Sequence, residues 1–534
     1  VTRLCSTSAL CVALFVLGCK PGSKPAADQA PPDTKTPAPA AEAPIVEGLD
    51  LVIANGRVMD PETNLDAIRN VGVKDGKIVV ISEDSLKGAR KIDATGHVVA
   101  PGFIDYHSHA QSPFGMKVYA RDGVTTPMDL ELGAFPVNDF YDYWEDTGAL
   151  VNYGTSVSHA FVRVAVLDKV DPKGRAIYTG ALGAAMKDGA QFKTKVYDAD
   201  DEPAILAAVE QGLKQGGIGI SYPIGYYTIA SSPEVMNVAA LAHEYGVPIT
   251  SHVRFLAQIP PSGYLGMEEM LTVAELQDVP LLLHHIPSNC LGLTEKCLDL
   301  IDAARGKGTN VIGEFYPYTF AGTYVDADYL KPGYKERLGI EASDLVVTAT
   351  GEKLTDEKFD QLRTKAPGTG LLMYSMKEQY VEAAMKRPGI IVGSDGMPWL
   401  FNDGYGGDYD TPYGSGKGHP RGAGTHAMIL RLVREKQTIP LMDAVARMSY
   451  LPAKFLGPMV PQMQTRGRLQ EGMTADITIF DPDTVTDNAS FEDGKNTLPS
   501  TGIPYVIVNG TIVVDDSKVQ KVSAGVAIRN KIVN

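Results

Sequence analysis

The chain has 534 residues, 44% of them hydrophobic and 21% charged, with a formal net charge of −15. This balance excludes a wholly disordered or collagen-like chain, and the lack of a basic surplus excludes a general nucleic-acid binder. The length allows one large domain with a smaller one, or three small ones.

Near the start, one cation, Arg3, precedes an apolar run over residues 9–17. A membrane span needs about 18–20 apolar residues, so this run fits the core of an export signal instead. It closes on Val16-Leu17-Gly18-Cys19, which resembles the lipobox of bacterial lipoproteins. The resemblance implies a signal over residues 1–19 and a lipid on Cys19. The protein is then expected in the bacterial cell envelope, as a periplasmic or outer-membrane lipoprotein, and Lys20 leans toward the outer membrane. Residues 20–47, rich in Pro and Ala, read as a disordered tether. Cys290 and Cys297, seven apart, are the thiols left to the folded part, and a disulfide between them is open.

Short β-runs follow. Leu51–Ile53 leads to an Asn55-Gly56 turn and Arg57-Val58, and Val71–Val73 leads to Asp75-Gly76 and Lys77–Ile81. The far end is alike: Ile477–Phe480, then Tyr505–Val508, Asn509-Gly510 and Thr511–Val514. Such turns join hairpins, and the two ends are expected to pair into one small β-sandwich domain, residues 48–100 plus 456–534.

Between them, residues 101–455 alternate continuous apolar runs with helical patterns. Gly217–Ser221, Val247–Ser251, Val279–Leu283, Asn310–Glu314 and Gly389–Ser394 read as buried strands. Alternation of this kind means a parallel sheet, and the length suits a TIM-like (β/α)8 barrel. His252, His284 and Asp395 each follow a strand run, which puts them on the C-terminal rim where barrel enzymes keep their chemistry.

The first barrel strand ends Phe103-Ile104-Asp105-Tyr106-His107-Ser108-His109. Strand side chains repeat every two residues, so His107 and His109 point to one side and form a grip for a divalent metal. Together with the later rim residues, the stretches Asp122–Thr126, Thr250-Ser251-His252, Phe315-Tyr316-Pro317-Tyr318, Gly393-Ser394-Asp395-Gly396 and His419-Pro420-Arg421 resemble the amidohydrolase superfamily. The nearest branch is the N-acyl-D-amino-acid deacylases (D-aminoacylases), and the resemblance runs over about residues 50–530.

The resemblance implies one or two divalent ions, expected to be Zn²⁺. His107, His109 and Asp395 would hold one position, and His252 and His284 the next. Leu132 falls where the family has a ligating cysteine. Glu131, one residue earlier, is the expected replacement, able to bridge two metals, with Asp129 as runner-up. The fourth strand has no lysine, which argues against a hydantoinase- or dihydroorotase-type bridge. The ion would lower the pKa of a water to about 7, and Asp395 would take its proton and pass it to the leaving nitrogen.

By the same resemblance Arg421 would meet a substrate α-carboxylate, Tyr226 would steady the carbonyl oxygen, and His159 would line or support the pocket. His285 is expected to point away from the site as a structural or supporting residue, and the Tyr405–Gly414 stretch is either a lid or a surface excursion. The expected function is hydrolysis of a linear amide in a small molecule, an N-acyl-D-amino acid or a related N-acyl or peptide compound. The competing readings are a cyclic amide hydrolase or deaminase on the same barrel, and a lipoprotein that binds ligand without catalysis. Oligomeric state is not legible.

Overall fold

The computed structural model describes residues 48–170, 189–402 and 404–533. The expected signal, Cys19 and the tether lie outside these residues.

The middle of the chain forms eight parallel strands: β1 (Phe103–Asp105), β2 (Val124–Ala134), β3 (Gly154–Ser158), β4 (Ile220–Tyr222), β5 (Ile249–Ser251), β6 (Leu281–Leu283), β7 (Val311–Phe315) and β8 (Ile390–Val392). They pair in chain order. Nearly every strand residue is buried, because helices cover the outside while side chains fill the inside. The ring closes beyond the strand ends. Gly396 N donates to His107 O (3.3 Å) and His109 N donates to Gly396 O (2.8 Å). Asp105 reinforces this seam, its Oδ1 accepting from the N–H groups of His107 and Ser394, both at 3.0 Å. This is the TIM-like barrel.

Both chain ends contribute to one nine-stranded sheet. Its junction is Val98–Pro101, parallel to Leu49–Asp60 on one side and antiparallel to Ile477–Phe480 on the other. The Asp75-Gly76 and Asn509-Gly510 turns form as expected, with positive φ at all four residues. Asn55-Gly56 does not turn the chain. It is a bulge inside the single strand Leu49–Asp60. A side chain on Gly56 would meet Val99 Cγ2 at 2.4 Å, so the close approach of neighbouring strands requires glycine there. Residues beyond the last sheet strand return to the barrel, where Gly525 N donates to Ala149 O (2.9 Å) and Ile528 N to Tyr153 O (2.7 Å).

An insertion between β7 and β8 carries a three-stranded antiparallel sheet, Ala321–Tyr324, Leu345–Val347 and Gly370–Met373. It has its own core around Leu330, Leu345 and Met373. Cys290 and Cys297 form a disulfide. The loop after β8 is pinned down: Lys117 Nζ donates to Tyr409 O (3.0 Å) and Thr411 O (2.6 Å), and Gly414 N to Thr497 Oγ1 (2.8 Å). It is held against the barrel's first helix (Pro113–Arg121), and Tyr405–Gly414 contributes nothing to the lining of the catalytic pocket.

Candidate metal centre and active site

The rim of the barrel gathers His107, His109, Glu131, His252, His285 and Asp395, all buried. Each arrives by a local backbone device. His107 and His109 follow β1 with the expected two-residue repeat, and their Nε2 atoms face each other at 3.1 Å. Glu131 arrives through a bulge. Asp129 Oδ1 accepts from the N–H groups of Leu132 and Gly133, both at 2.9 Å. That folds the end of β2 back, and its pairing with β3 jumps between Asp129 and Ala134. Bulges beside active sites re-aim side chains in this way. His252 lies 4.8 Å from the Tyr226 ring and stacks on Tyr329 at 6.0 Å, centroid to centroid. Gly225 makes room for it, since a Cβ there would lie 2.5 Å from His252 Cδ2.

Glu131 stands between two groups of histidines. Its Oε2 is 3.4 Å from His109 Nε2 and 3.9 Å from His107 Nε2. Its Oε1 is 3.0 Å from His252 Nδ1 and 3.9 Å from His285 Nε2. Asp395 Oδ1 joins the first group, 3.3 Å from His107 Nε2 and 3.6 Å from His109 Nε2. Within His107–His109–Glu131, and again within Glu131–His252–His285, the donor atoms lie inside 4.8 Å of one another. Imidazole and carboxylate donors at this spacing suit Zn²⁺ or a similar ion. The buried Nε2 of His252 has no hydrogen-bond partner, an orphan that a cation would satisfy.

Electrostatics favour the metal-binding forms at Glu131, His252 and Asp395, whereas at His109 burial is outweighed by the carboxylates of Asp129, Asp395 and Glu131, which raise the imidazole well above its usual range. Burial alone would raise the Glu131 pKa. Hydrogen bonds with His252 and His285 and the nearness of His107 and His109 outweigh that, holding the carboxyl well below its usual range. Burial, then the neighbouring His285, pushes His252 down to about 4, keeping a neutral imidazole. For Asp395, burial is again opposed, here by Arg421 and His107, and the carboxyl stays ionised.

Behind these donors sits a supporting layer. Asp129 Oδ2 meets His109 Nδ1 at 3.0 Å, so the runner-up orients a histidine while Glu131 faces the cavity. Glu314, on β7, spans His107 Nδ1 and His284 Nδ1, both at 2.8 Å. Carboxylates in this position fix imidazole orientation and raise ligand basicity. The sequence reading did not single out Glu314, although a lone acid inside the apolar run Val311–Phe315 was the available signal.

One expectation is corrected, and two others are narrowed. His285, expected to point away, reaches the cavity, because it enters a left-handed turn (φ 30°) that breaks the strand alternation. His284 lies one layer deeper, its Nε2 3.3 Å from Leu130 O, in a further group of possible donors with His107 and Glu314. His159 stands behind the pocket wall, its Nδ1 2.9 Å from the Tyr227 hydroxyl and its Nε2 3.2 Å from Glu234. It therefore supports Tyr227 and does not touch the pocket.

Tyr226 lines the pocket as expected. Arg421 is fully buried and turned to Asp395, with Nη2 2.7 Å from Oδ1 and Nε donating to the backbone carbonyl (2.5 Å). Its guanidinium lies 4.7 Å from the Tyr316 ring. The pocket is apolar away from the donors, walled by Leu132, Phe161, Phe192 and Tyr227.

No family model matches the chain. An N-acyl-D-glutamate deacylase from Alcaligenes xylosoxydans xylosoxydans is 29% identical, over 88% of this chain and 94% of that relative. The crystal structure of D-aminoacylase, described as defining a novel subset of amidohydrolases, has a TM-score of 0.72 at 25% identity, covering 90% of this chain and 100% of that one. The N-acyl-D-glutamate deacylase of Bordetella bronchiseptica, solved with zinc and a phosphonate mimic of the tetrahedral intermediate, also gives 0.72, at 27% identity with the same coverage. The chain has the fold of these amidohydrolases.

Proposed function

We propose that the protein is a metal-dependent amidohydrolase that cleaves a linear amide in a small molecule, an N-acyl-D-amino acid or a related N-acyl or peptide compound. The observation that carries this reading is Glu131, one carboxylate whose two oxygens face two separate histidine groups beside an ionised Asp395. His107, His109 and Asp395 would hold one ion, His252 and His285 a second, with Glu131 between them. Bound there, Zn²⁺ or a similar divalent ion supplies a water of lowered pKa and polarises the scissile carbonyl.

The chain's own groups do the rest. Asp395 takes the water proton and delivers it to the leaving nitrogen, which an amide needs because its nitrogen leaves poorly unprotonated. Arg421, paired with Asp395, keeps that carboxylate ionised and aimed. Glu314 and Asp129 hold His107 and His109 in their tautomers. The apolar wall keeps bulk water from the reacting carbonyl.

The disulfide supports an oxidising compartment, in keeping with a lipid anchor at Cys19 in the bacterial envelope. No helix among the described residues is long and apolar enough to cross a membrane.

Metal analysis of purified wild type beside Glu131→Ala, followed by a panel of N-acyl-D- and N-acyl-L-amino acids, tests the reading. One or two equivalents in wild type, lost in the variant, with turnover of the panel, is the expected result. A wild type that retains no metal would overturn it.

A further inference from the structure

Tyr324, Met397 and Pro398 form one wall of the catalytic pocket. These three residues also line a second hollow of about 250 Å³. Its other walls differ from the first pocket: the hydroxyl-bearing Thr348 and Thr369 from the insertion, backbone at several glycines, and Lys417. Among the described residues no lysine or arginine lines the catalytic pocket itself. Arg421, the nearest expected anchor, already faces Asp395. A free carboxylate beside the scissile amide would therefore lie close to Asp395 and Glu131, two carboxylates that repel it. Among the described residues Lys417 pairs with exposed Asp493, at 2.7 Å, and an exposed pair of this kind exchanges readily for a ligand carboxylate.

The direction of the path follows from the chemistry. The leaving nitrogen must lie at Asp395 to receive its proton, and Met397 and Pro398, two and three residues on, lead from Asp395 into the second hollow. The apolar wall of Leu132, Phe161 and Phe192 is left for the acyl portion.

We propose that the leaving amine is itself a peptide: an amino-acid residue joined through its own carboxyl to at least one more residue, which occupies the second hollow and brings its terminal carboxylate to Lys417. This rests on the amidohydrolase reading above. In the step, the acyl C–N bond breaks, water supplies the new C–O bond, and a water proton reaches the nitrogen. The products are the acyl carboxylate and a free peptide amine.

The test compares kcat/KM for N-acetyl-D-leucine, N-acetyl-D-leucylglycine and N-acetyl-D-leucylglycinamide with the metal-loaded enzyme. The expected result is about a tenfold preference for the free-acid dipeptide, mostly lost in its amide. Lys417→Met should erase the difference between acid and amide. Equal or better turnover of N-acetyl-D-leucine would overturn the proposal. Calorimetric binding of the product amines D-leucylglycine and D-leucine reads the hollow independently of turnover. Equal binding also overturns the proposal. Tighter dipeptide binding without hydrolysis of any substrate would sink the amidohydrolase reading and leave the hollow's ligand class standing.

Discussion

The strand ends at β1 and β6 each carry two histidines, yet they use them differently. After β1 the pair is spaced by two, His107 and His109, and both imidazoles join one donor group with Glu131. After β6 the pair is adjacent, and it divides by depth: His285 faces the cavity while His284 sits beneath it on Glu314. Beyond Asp105 the first end is stitched to Gly396 by backbone hydrogen bonds. The second turns left-handed at His285 and passes at once into the short helix Ile286–Cys290. Side-chain period decides which residues meet a site only as long as the strand lasts. Once the backbone turns, the local φ decides.

Replacing His109 by Ala should do the most damage, because its ring serves the group that also holds Asp395. We expect loss of metal and a fall in kcat of at least about a thousandfold, read by metal analysis and single-turnover kinetics. His285→Ala should remove the ion on the Glu131 Oε1 side alone, so wild type and variant should differ by one equivalent. Unchanged metal would restore His284 to the ligand set. Glu314→Gln touches both strand ends from below and should weaken metal affinity by about 10–100-fold, the range for supporting groups, measured by chelator competition. The smallest effect is expected from Cys290→Ser, which frees the turn following His285. Loss of so short a loop should cost roughly 2–3 kcal/mol on the chain-entropy account, seen as a lowered Tm, with any activity change confined to the His285 side.

These contrasts also mark what could be read without coordinates. The barrel was legible because buried parallel strands are nearly continuous apolar runs and their polar end residues share a rim. His107, His109, His252 and Asp395 followed directly. Glu131 was legible as a carboxylate near the right place, but the bulge that delivers it depends on Asp129 capping two backbone N–H groups, which no periodicity reveals. The order of His284 and His285 was lost at one backbone angle. Asn55-Gly56 misled because the same dipeptide serves a hairpin turn and a bulge, and only the neighbouring strand's approach at Val99 distinguishes them. The insertion between β7 and β8 went unseen as a unit because its short antiparallel strands are embedded in an alternating α/β pattern.

The pairing of Val98–Pro101 with Ile477–Phe480 has a consequence for how the chain is made. The strand leading straight into the barrel waits for a partner that a ribosome delivers only near the end of synthesis. Until then its outer edge offers unpaired N–H and C=O groups, a template for the wrong neighbour. Nascent or truncated chains ending before Ile477 therefore carry an open edge beside the finished strands, and depend on chaperones until the strand Ile477–Phe480, a late-closing, long-range contact, seals it.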